Sequence, residues 1–399
     1  MPDFYPPQLN PPLVRLSQWA APLWAHWWYQ IDLQIDAESL NQLAALRDQK
    51  VLLLPNHPTF QDPIVMFLLS GKGNQTFYYL AAHEVFSGVL SRFFQALGVY
   101  SIRRGLADRA SIAQTLDLLT QPGCHLVVFP EGGCSFQNDT VMPFRAGAIQ
   151  LAFQAISRWV KQGKSPPDLY AVPISIKYRY TQNMAPIIAA TLHQLEQALE
   201  VPKATGDYER LRAIAEKVLT RIEQEYGIQP IEGSETSWND RIALLKAHVL
   251  KTSEQQLSLT SSASEPDRER GYRILHAVQA RSDQVERGDA GDSLWDVEFV
   301  RRSMLRLLNF DAIYDGYVAT NPTPERFLDT LIRLEREVFA IDKPPPKGHR
   351  LAQLKLGDPV NLRDYFERFQ KAKSTTVNQV ALHLQQAVQH NLDLYYDRH

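Results

Sequence analysis

The sequence predicts an α/β fold: a largely parallel sheet flanked by helices, with a large all-helical insertion. Three observations carry this. Short apolar runs alternate with helical segments between residues 31 and 180, the pattern of strands joined by crossover helices. Residues 185–340 read as nearly all helix. A short run at Gln353–Leu356 then reads as a returning strand before a last helix.

Residues 1–12 are Pro-rich and read as extended. In residues 13–31, Leu16, Ala20, Leu23 and Trp27 fall at helical spacing, and Trp19, Trp24, Trp27 and Trp28 crowd together. No Asp, Glu, Lys or Arg lies between Arg15 and Asp32. Indole rings favour the water–lipid boundary, so this helix reads as one lying in a membrane surface. The alternative is a helix docked on the protein's own core and bent at Pro22. Ile31–Ile35 is a strand and Ser39–Arg47 a short helix. Val51–Leu54 is a buried strand ending in a loop that Pro55 and Pro58 keep from being helical. Asp62-Pro63 reads as an N-cap and first helical residue, opening a helix over Ile64–Leu69. Thr76–Ala81 is a strand, Val85–Leu97 a helix stopped at Gly98, and Val99–Ile102 a strand. Asp108–Leu119 is a helix, His125–Phe129 a strand, Ala146–Val160 a helix and Tyr170–Tyr178 a strand. The insertion contains Ile187–Glu200, Tyr208–Tyr226, Trp238–Leu250, Arg268–Arg287, Leu294–Leu308 and Pro324–Phe339, with a polar linker at Ser253–Asp267. The final helix is Thr376–Leu392. Four segments result: residues 1–34, 35–184, 185–345 and 346–399.

The net charge of −2 argues against nucleic acid as a partner. Two cysteines, Cys124 and Cys134, give neither a disulfide framework nor metal-ligand spacing, and point to a reducing compartment. No apolar run is long enough to span a bilayer, and the start lacks a signal-peptide pattern. There is no Gly-x-Ser-x-Gly, no Gly-x-x-x-x-Gly-Lys-Ser/Thr, no Gly-x-Gly-x-x-Gly and no His-Glu-x-x-His. Serine-hydrolase, ATP, dinucleotide and zinc-peptidase readings lose their usual support.

Four loops carry chemistry. After Val51–Leu54 come Asn56, His57 and Asp62; a histidine held by a carboxylate can take a proton from a hydroxyl. The plainer reading gives Asp62 a capping role and His57 a turn. Arg103 and Arg104, after a strand, offer forked donors suited to phosphate, or form a solvated surface pair. Glu131 and Gly132 end another strand, where a carboxylate needs a partner and a glycine admits close approach. That partner is a substrate hydroxyl or a donor of the chain itself. Arg145 precedes a helix start, where side chain and backbone amides both favour an anion. Cys134 is read as packing rather than as a nucleophile.

In order, these segments resemble the glycerolipid acyltransferase superfamily, whose best-known member is 1-acylglycerol-3-phosphate acyltransferase. Asn56-His57-Pro-Thr-Phe-Gln-Asp62 matches its His-x4-Asp block, and Gly98–Arg104 looks like the second. Phe129-Pro-Glu-Gly132 resembles the third, and Val172-Pro-Ile174 the fourth. Phe144-Arg145-Ala-Gly147 and Leu356-Gly357-Asp-Pro-Val360 are similar to later segments. Two departures stand out. Arg103 occupies a position where the family often has Asp. Gly133-Cys134-Ser135 replaces Thr-Arg-Ser and removes a cation that Arg103 or Arg145 would have to replace.

The resemblance implies transfer of a fatty acyl group from coenzyme A or acyl carrier protein, as co-substrate, to a glycerolipid hydroxyl. Lysophosphatidic acid is the expected acceptor, giving phosphatidic acid. His57 is then the base and Asp62 its orienter. Arg104, with Arg103 and Arg145, would hold the acceptor phosphate, and Glu131 and Gly132 the glycerol. No metal or enzyme nucleophile is required. The expected place is peripheral, on the cytoplasmic face of a membrane. Glycerol-3-phosphate, another lysophospholipid or a neutral lipid alcohol are alternative acceptors. A lipid-binding protein without catalysis and a thioesterase are alternative functions.

Overall fold

A computed structural model describes residues 2–86, 88–228, 237–262, 265–286 and 294–394. Its contacts divide the chain into two compact units. One comprises Met1–Arg103, Ala107–Gln182 and Gly348–His399, and the other Arg104–Leu106 and Asn183–Lys347.

The first unit is built on a mixed, mostly parallel sheet. Its strands are β1 (Ile31–Ile35), β2 (Val51–Pro55), β3 (Tyr78–Ala82), β4 (Val99–Ile102), β5 (His125–Val127), β6 (Tyr170–Tyr180), β7 (Arg350–Leu356) and β8 (Val360–Asn361). They run in the order β1-β7-β6-β2-β5-β3-β4, with β8 also on β6. The β2–β5, β2–β6, β3–β4, β3–β5 and β1–β7 pairs are parallel. Only β6 pairs antiparallel, with β7 and β8, among the described strands. The returning strand therefore enters the sheet between β1 and β6.

β2 shows why a continuous apolar run is required. Leu52 and Leu54 pack on one face of the sheet, with Leu126, Phe153 and the C-terminal helix Lys373–Leu394. Val51 and Leu53 pack on the other, with Val65, Met66 and Leu69. Both faces are covered, as a parallel sheet demands. The parallel strands β2, β3, β4 and β5 turn their C-terminal ends to one edge, where such sheets place ligands.

The helices of this unit begin with α1 (Pro11–Trp24), which continues as a π-helical turn, Ala25–Tyr29. The next are α2 (Ala37–Ala45), α3 (Asp62–Lys72), α4 (Ser91–Ala96), α5 (Arg109–Leu119) and α6 (Ala146–Val160). The Pro-rich start is therefore not extended throughout: Pro11 and Pro12 form the first turn of α1, capped by the Asn10 side chain. The helix expected at Val85–Leu97 is broken into a 3-10 turn, His83–Phe86, and α4. α1 buries Val14, Gln18 and Ala21. The Gln18 amide donates to Ser70 Oγ and to the Gln75 carbonyl oxygen. Its other face leaves Leu16, Trp19, Leu23 and Trp24 exposed, continued by Trp27 and Trp28.

In the second unit lie α7 (Ala185–Leu199), α8 (Asp207–Glu225), α9 (Trp238–Gln256), α10 (Asp267–Glu286), α11 (Leu294–Phe310), α12 (Tyr317–Thr320) and α13 (Pro324–Val338). The expected linker is narrower than its sequence suggested, since residues 253–256 finish α9; residues 263–264 within it, and Arg287, lie outside the described residues.

Leu53→Ala removes a fully buried side chain from the middle of the sheet. It should cost about 2–5 kcal/mol, read as a lower denaturant midpoint for unfolding at unchanged m-value.

Candidate active site

His57 leaves the C-terminal end of β2, and its backbone is fixed on both sides by the loop after β5. The His57 N–H donates to Glu131 Oε1 at 2.7 Å. The Ser135 N–H donates to the His57 carbonyl oxygen at 2.8 Å. The imidazole stacks on Phe129, with ring centroids 4.3 Å apart. Its Nδ1 lies 2.7 Å from Asp62 Oδ2.

Asp62 is fully buried and is not an N-cap. Gln61 is the cap, Asp62 the first helical residue and Pro63 the second. The Asp62 side chain is free of capping because it turns inward. Oδ2 also accepts the Thr59 N–H at 2.9 Å, and Oδ1 accepts the Thr59 hydroxyl at 2.9 Å and the Tyr178 hydroxyl at 2.6 Å. A buried carboxylate needs this many donors to stay charged. The Tyr178 phenol is pushed well above its usual pKa, first by burial and then by the Asp62 charge; Arg350, whose guanidinium lies 4.7 Å from the ring centroid, opposes this. The phenol is thus a permanent donor. If the His57 Nδ1 proton is directed at Asp62, Nε2 is left as the acceptor nitrogen and faces the Cys134 thiol.

Cys134 Sγ stands 3.6 Å from Nε2. Its side chain is half-buried, whereas Cys124 is buried and its thiol pushed up to about 12 by burial.

The remaining predicted residues take distinct places. Glu131 is buried and its second oxygen accepts the Met142 N–H at 3.2 Å. Two backbone amides are therefore among its donors, and it ties β2 to the loop before α6. Asn56 is also buried; its side-chain oxygen accepts the Ile176 N–H at 2.7 Å and its amide donates to the Ile176 carbonyl oxygen at 3.0 Å. Asn56 thereby extends the β2–β6 ladder. Gly132 has φ +76°, and a Cβ there would fall 2.5 Å from the Arg145 guanidinium. Arg145 caps α6 without a side-chain cap bond, and its N–H donates to the Pro130 carbonyl oxygen. His57 thus contacts Asp62 and Glu131 directly, and Arg145 meets the residues on either side of Glu131, Pro130 and Gly132.

Arg103 and Arg104 diverge. The Arg103 guanidinium pairs with Asp3 at 3.2 Å and Asp108 at 3.5 Å. Arg104 packs within the second unit, donating to the Tyr272 hydroxyl at 2.6 Å with its guanidinium 4.1 Å from that ring's centroid.

Sequence reading missed Thr59, Ser135, Asn138 and Tyr178. Asn138 matches Asn56, bonding both the N–H and the carbonyl oxygen of Tyr178 at 2.7 Å. Thr59 lay inside the His-x4-Asp block and was open to notice. Tyr178 is 116 residues from Asp62, and only the β2–β6 pairing brings them together.

One further cluster has metal-ligand chemistry. His26 Nδ1 and His349 Nε2 lie 2.9 and 2.8 Å from the two Asp32 oxygens. Burial works to raise the Asp32 carboxyl, but the two histidines outweigh it and hold it below its ordinary value. The cluster fastens the π-helical turn to β1 and to the residue preceding β7.

Residues 35–177 match the protein-family model described as Acyltransferase. This segment contains His57, Asp62, Glu131 and Arg145, and the match supports acyl transfer as its reaction class. No curated protein matches the chain.

Glu131→Ala leaves the His57 and Met142 amides without that acceptor, which should cost about 1–3 kcal/mol for each amide left buried and unpaired. The checks are thermal unfolding and faster hydrogen exchange at the His57 amide. Gly132→Ala should be more damaging than its size suggests, because the new Cβ displaces Arg145.

Proposed function

We propose that the protein is an O-acyltransferase that moves a fatty acyl group from a thioester of coenzyme A or acyl carrier protein to a glycerolipid hydroxyl. Lysophosphatidic acid is the acceptor we favour, giving phosphatidic acid. The observation that carries this reading is the His57–Asp62 contact at 2.7 Å, inside the segment that matches an acyltransferase family.

The reaction needs no redox partner. His57 Nε2 takes the proton of the acceptor hydroxyl as its oxygen attacks the thioester carbonyl carbon. Asp62 steadies the imidazolium that forms, as the carboxylate of a triad does. The tetrahedral intermediate collapses with cleavage of the C–S bond. The thiolate leaves with the proton from His57, and the new C–O bond is the ester. Arg145, at the start of α6 and against Gly132, is the cation we assign to the acceptor phosphate, with Arg103 beside the loop after β4. Holding the phosphate places the hydroxyl near Nε2, so this contact supports turnover as well as affinity. The role of Glu131 and Asn56 in this account is to hold the backbone around His57, not to touch the glycerol.

The exposed indoles of α1 and of the turn after it support a peripheral membrane location, where lipid acceptors are found. No described helix is long and apolar enough to cross a membrane.

One contact favours a second route. Cys134 Sγ, 3.6 Å from Nε2, has the spacing of a thiol activated by a neighbouring base. In that route the acyl group passes first to Cys134, releasing the donor thiol, and then to the acceptor hydroxyl.

The test is incubation of purified protein with acyl thioesters and a panel of acceptors, with products identified by mass. Lysophosphatidic acid should give phosphatidic acid, and His57→Ala should lower turnover by about 100-fold or more. Arg145→Ala should raise the KM for phosphorylated acceptors more than for neutral ones. Folded protein that yields no ester with any acceptor refutes the proposal. Under the direct route Cys134→Ala keeps most turnover and no acyl-protein adduct is trapped; under the covalent route it loses both.

A further inference from the structure

A long apolar groove lies wholly inside the second unit. One wall is a stripe of α8, with Tyr208, Leu211, Ala215, Leu219, Ile222 and Tyr226 facing it. The other walls come from α9, α11 and α13 and the residues around α12. From Tyr208 to Tyr226 the helix rises about 27 Å. One leaflet of bilayer hydrocarbon is about 15 Å deep, so the wall that lines the groove spans more than a full fatty chain needs. The space open to the centre of a water molecule is about 130 Å³; about 10–15 Å³ suffices for a single water. Protein interiors are packed as densely as organic crystals. A groove of this length, with a largely apolar lining, offers water few partners and suits hydrocarbon.

The cations on its wall decide what sort of head the chain carries. Arg212 holds Asp315 at 2.6 Å. Arg306 holds Glu337 at 2.7 Å and Glu225 at 3.0 Å. Lys246 differs. Its ammonium donates to the Asp311 carbonyl oxygen at 2.5 Å, but the Asp311 carboxylate stands 4.0 Å away. The other oxygen of that carboxylate is engaged by Arg268 at 2.7 Å. An ammonium has three N–H donors, so Lys246 retains the capacity to meet an oxygen in the groove. Burial pushes the amine below its ordinary pKa, a cost that an incoming anion offsets.

We propose that this groove binds one long fatty acyl chain, whose carboxylate or thioester carbonyl is met by Lys246. The choice of an acyl ligand rests on the acyl-transfer reading; the size, shape and charge of the groove do not. The site gives the helical unit a task of its own, holding the chain of a fatty acid or acyl thioester.

The experiment titrates the purified full-length chain with cis-parinaric acid, a fatty acid whose fluorescence rises in apolar surroundings, and then displaces it with palmitate. Saturable binding, displaced by palmitate and more weakly by octanoate, is the expected result. Palmitoyl-coenzyme A as a second competitor distinguishes the thioester source from the free acid. Lys246→Met keeps the packing and removes the charge, and should weaken palmitate about tenfold. Ala215→Phe fills the groove and should abolish binding; if it fails to fold, Lys246→Met and the comparison of chain lengths still decide. His57→Ala should bind as the unaltered chain does. Three outcomes overturn the proposal: no saturable binding, equal affinity for octanoate and palmitate, or unchanged palmitate affinity in Lys246→Met. Acyl transfer without palmitate binding removes the groove and leaves the function; binding without transfer does the reverse.

Discussion

The site depends on one buried carboxylate. Asp62 lies beneath the sheet edge with no exposure and collects the Thr59 amide, the Thr59 hydroxyl, the Tyr178 hydroxyl and the His57 ring. Removing a charge from water is costly unless every lone pair is answered. That demand explains much of the local architecture. Pro63 starts α3 so that Asp62 is in its first turn, where the helix dipole favours a negative charge. β6 must pair in register with β2 to deliver Tyr178. Asn56 and Asn138 lock that register by bonding the backbone of β6 at Ile176 and Tyr178.

His57 is held as firmly through its backbone as through its ring. Glu131 takes its N–H, Ser135 donates to its carbonyl oxygen, and Phe129 covers one ring face. All three partners belong to the loop after β5. The two loops therefore form a single unit of structure, and a change in the Glu131–Ser135 segment is felt at His57. Within that segment Ser135 serves the backbone and Cys134 meets the ring. Arg145, against Gly132, supplies a cation close by.

Local chemistry was legible in the sequence where the signal was local. The strand before His57, the proline-restricted loop, the five-residue separation of His57 and Asp62, and the helix starts at Ala146 and Pro324 were read from adjacent residues. The parallel sheet followed from alternation, and the sheet's closing strand from the return after the helical segment. What failed was long-range or conditional. Asp62 has the sequence signature of a cap, yet its side chain turns to His57, Thr59 and Tyr178, of which Tyr178 is 116 residues away. Glu131 and Asn56 also bond backbone groups that only the folded sheet brings near, which adjacent residues could not show. The arginine pair at 103–104 could not be resolved from adjacency, because its members belong to different compact units.

If the site works as proposed, the Asp62 carboxylate fixes which nitrogen of His57 carries the proton. Nitrogen-15 NMR of the His57 ring, recorded at a pH where the imidazole is uncharged, reads this directly. The proton is expected on Nδ1 in the unaltered chain, with that preference lost in Asp62→Ala. A ring protonated on Nε2, or one whose tautomer ignores the loss of Asp62, would contradict it.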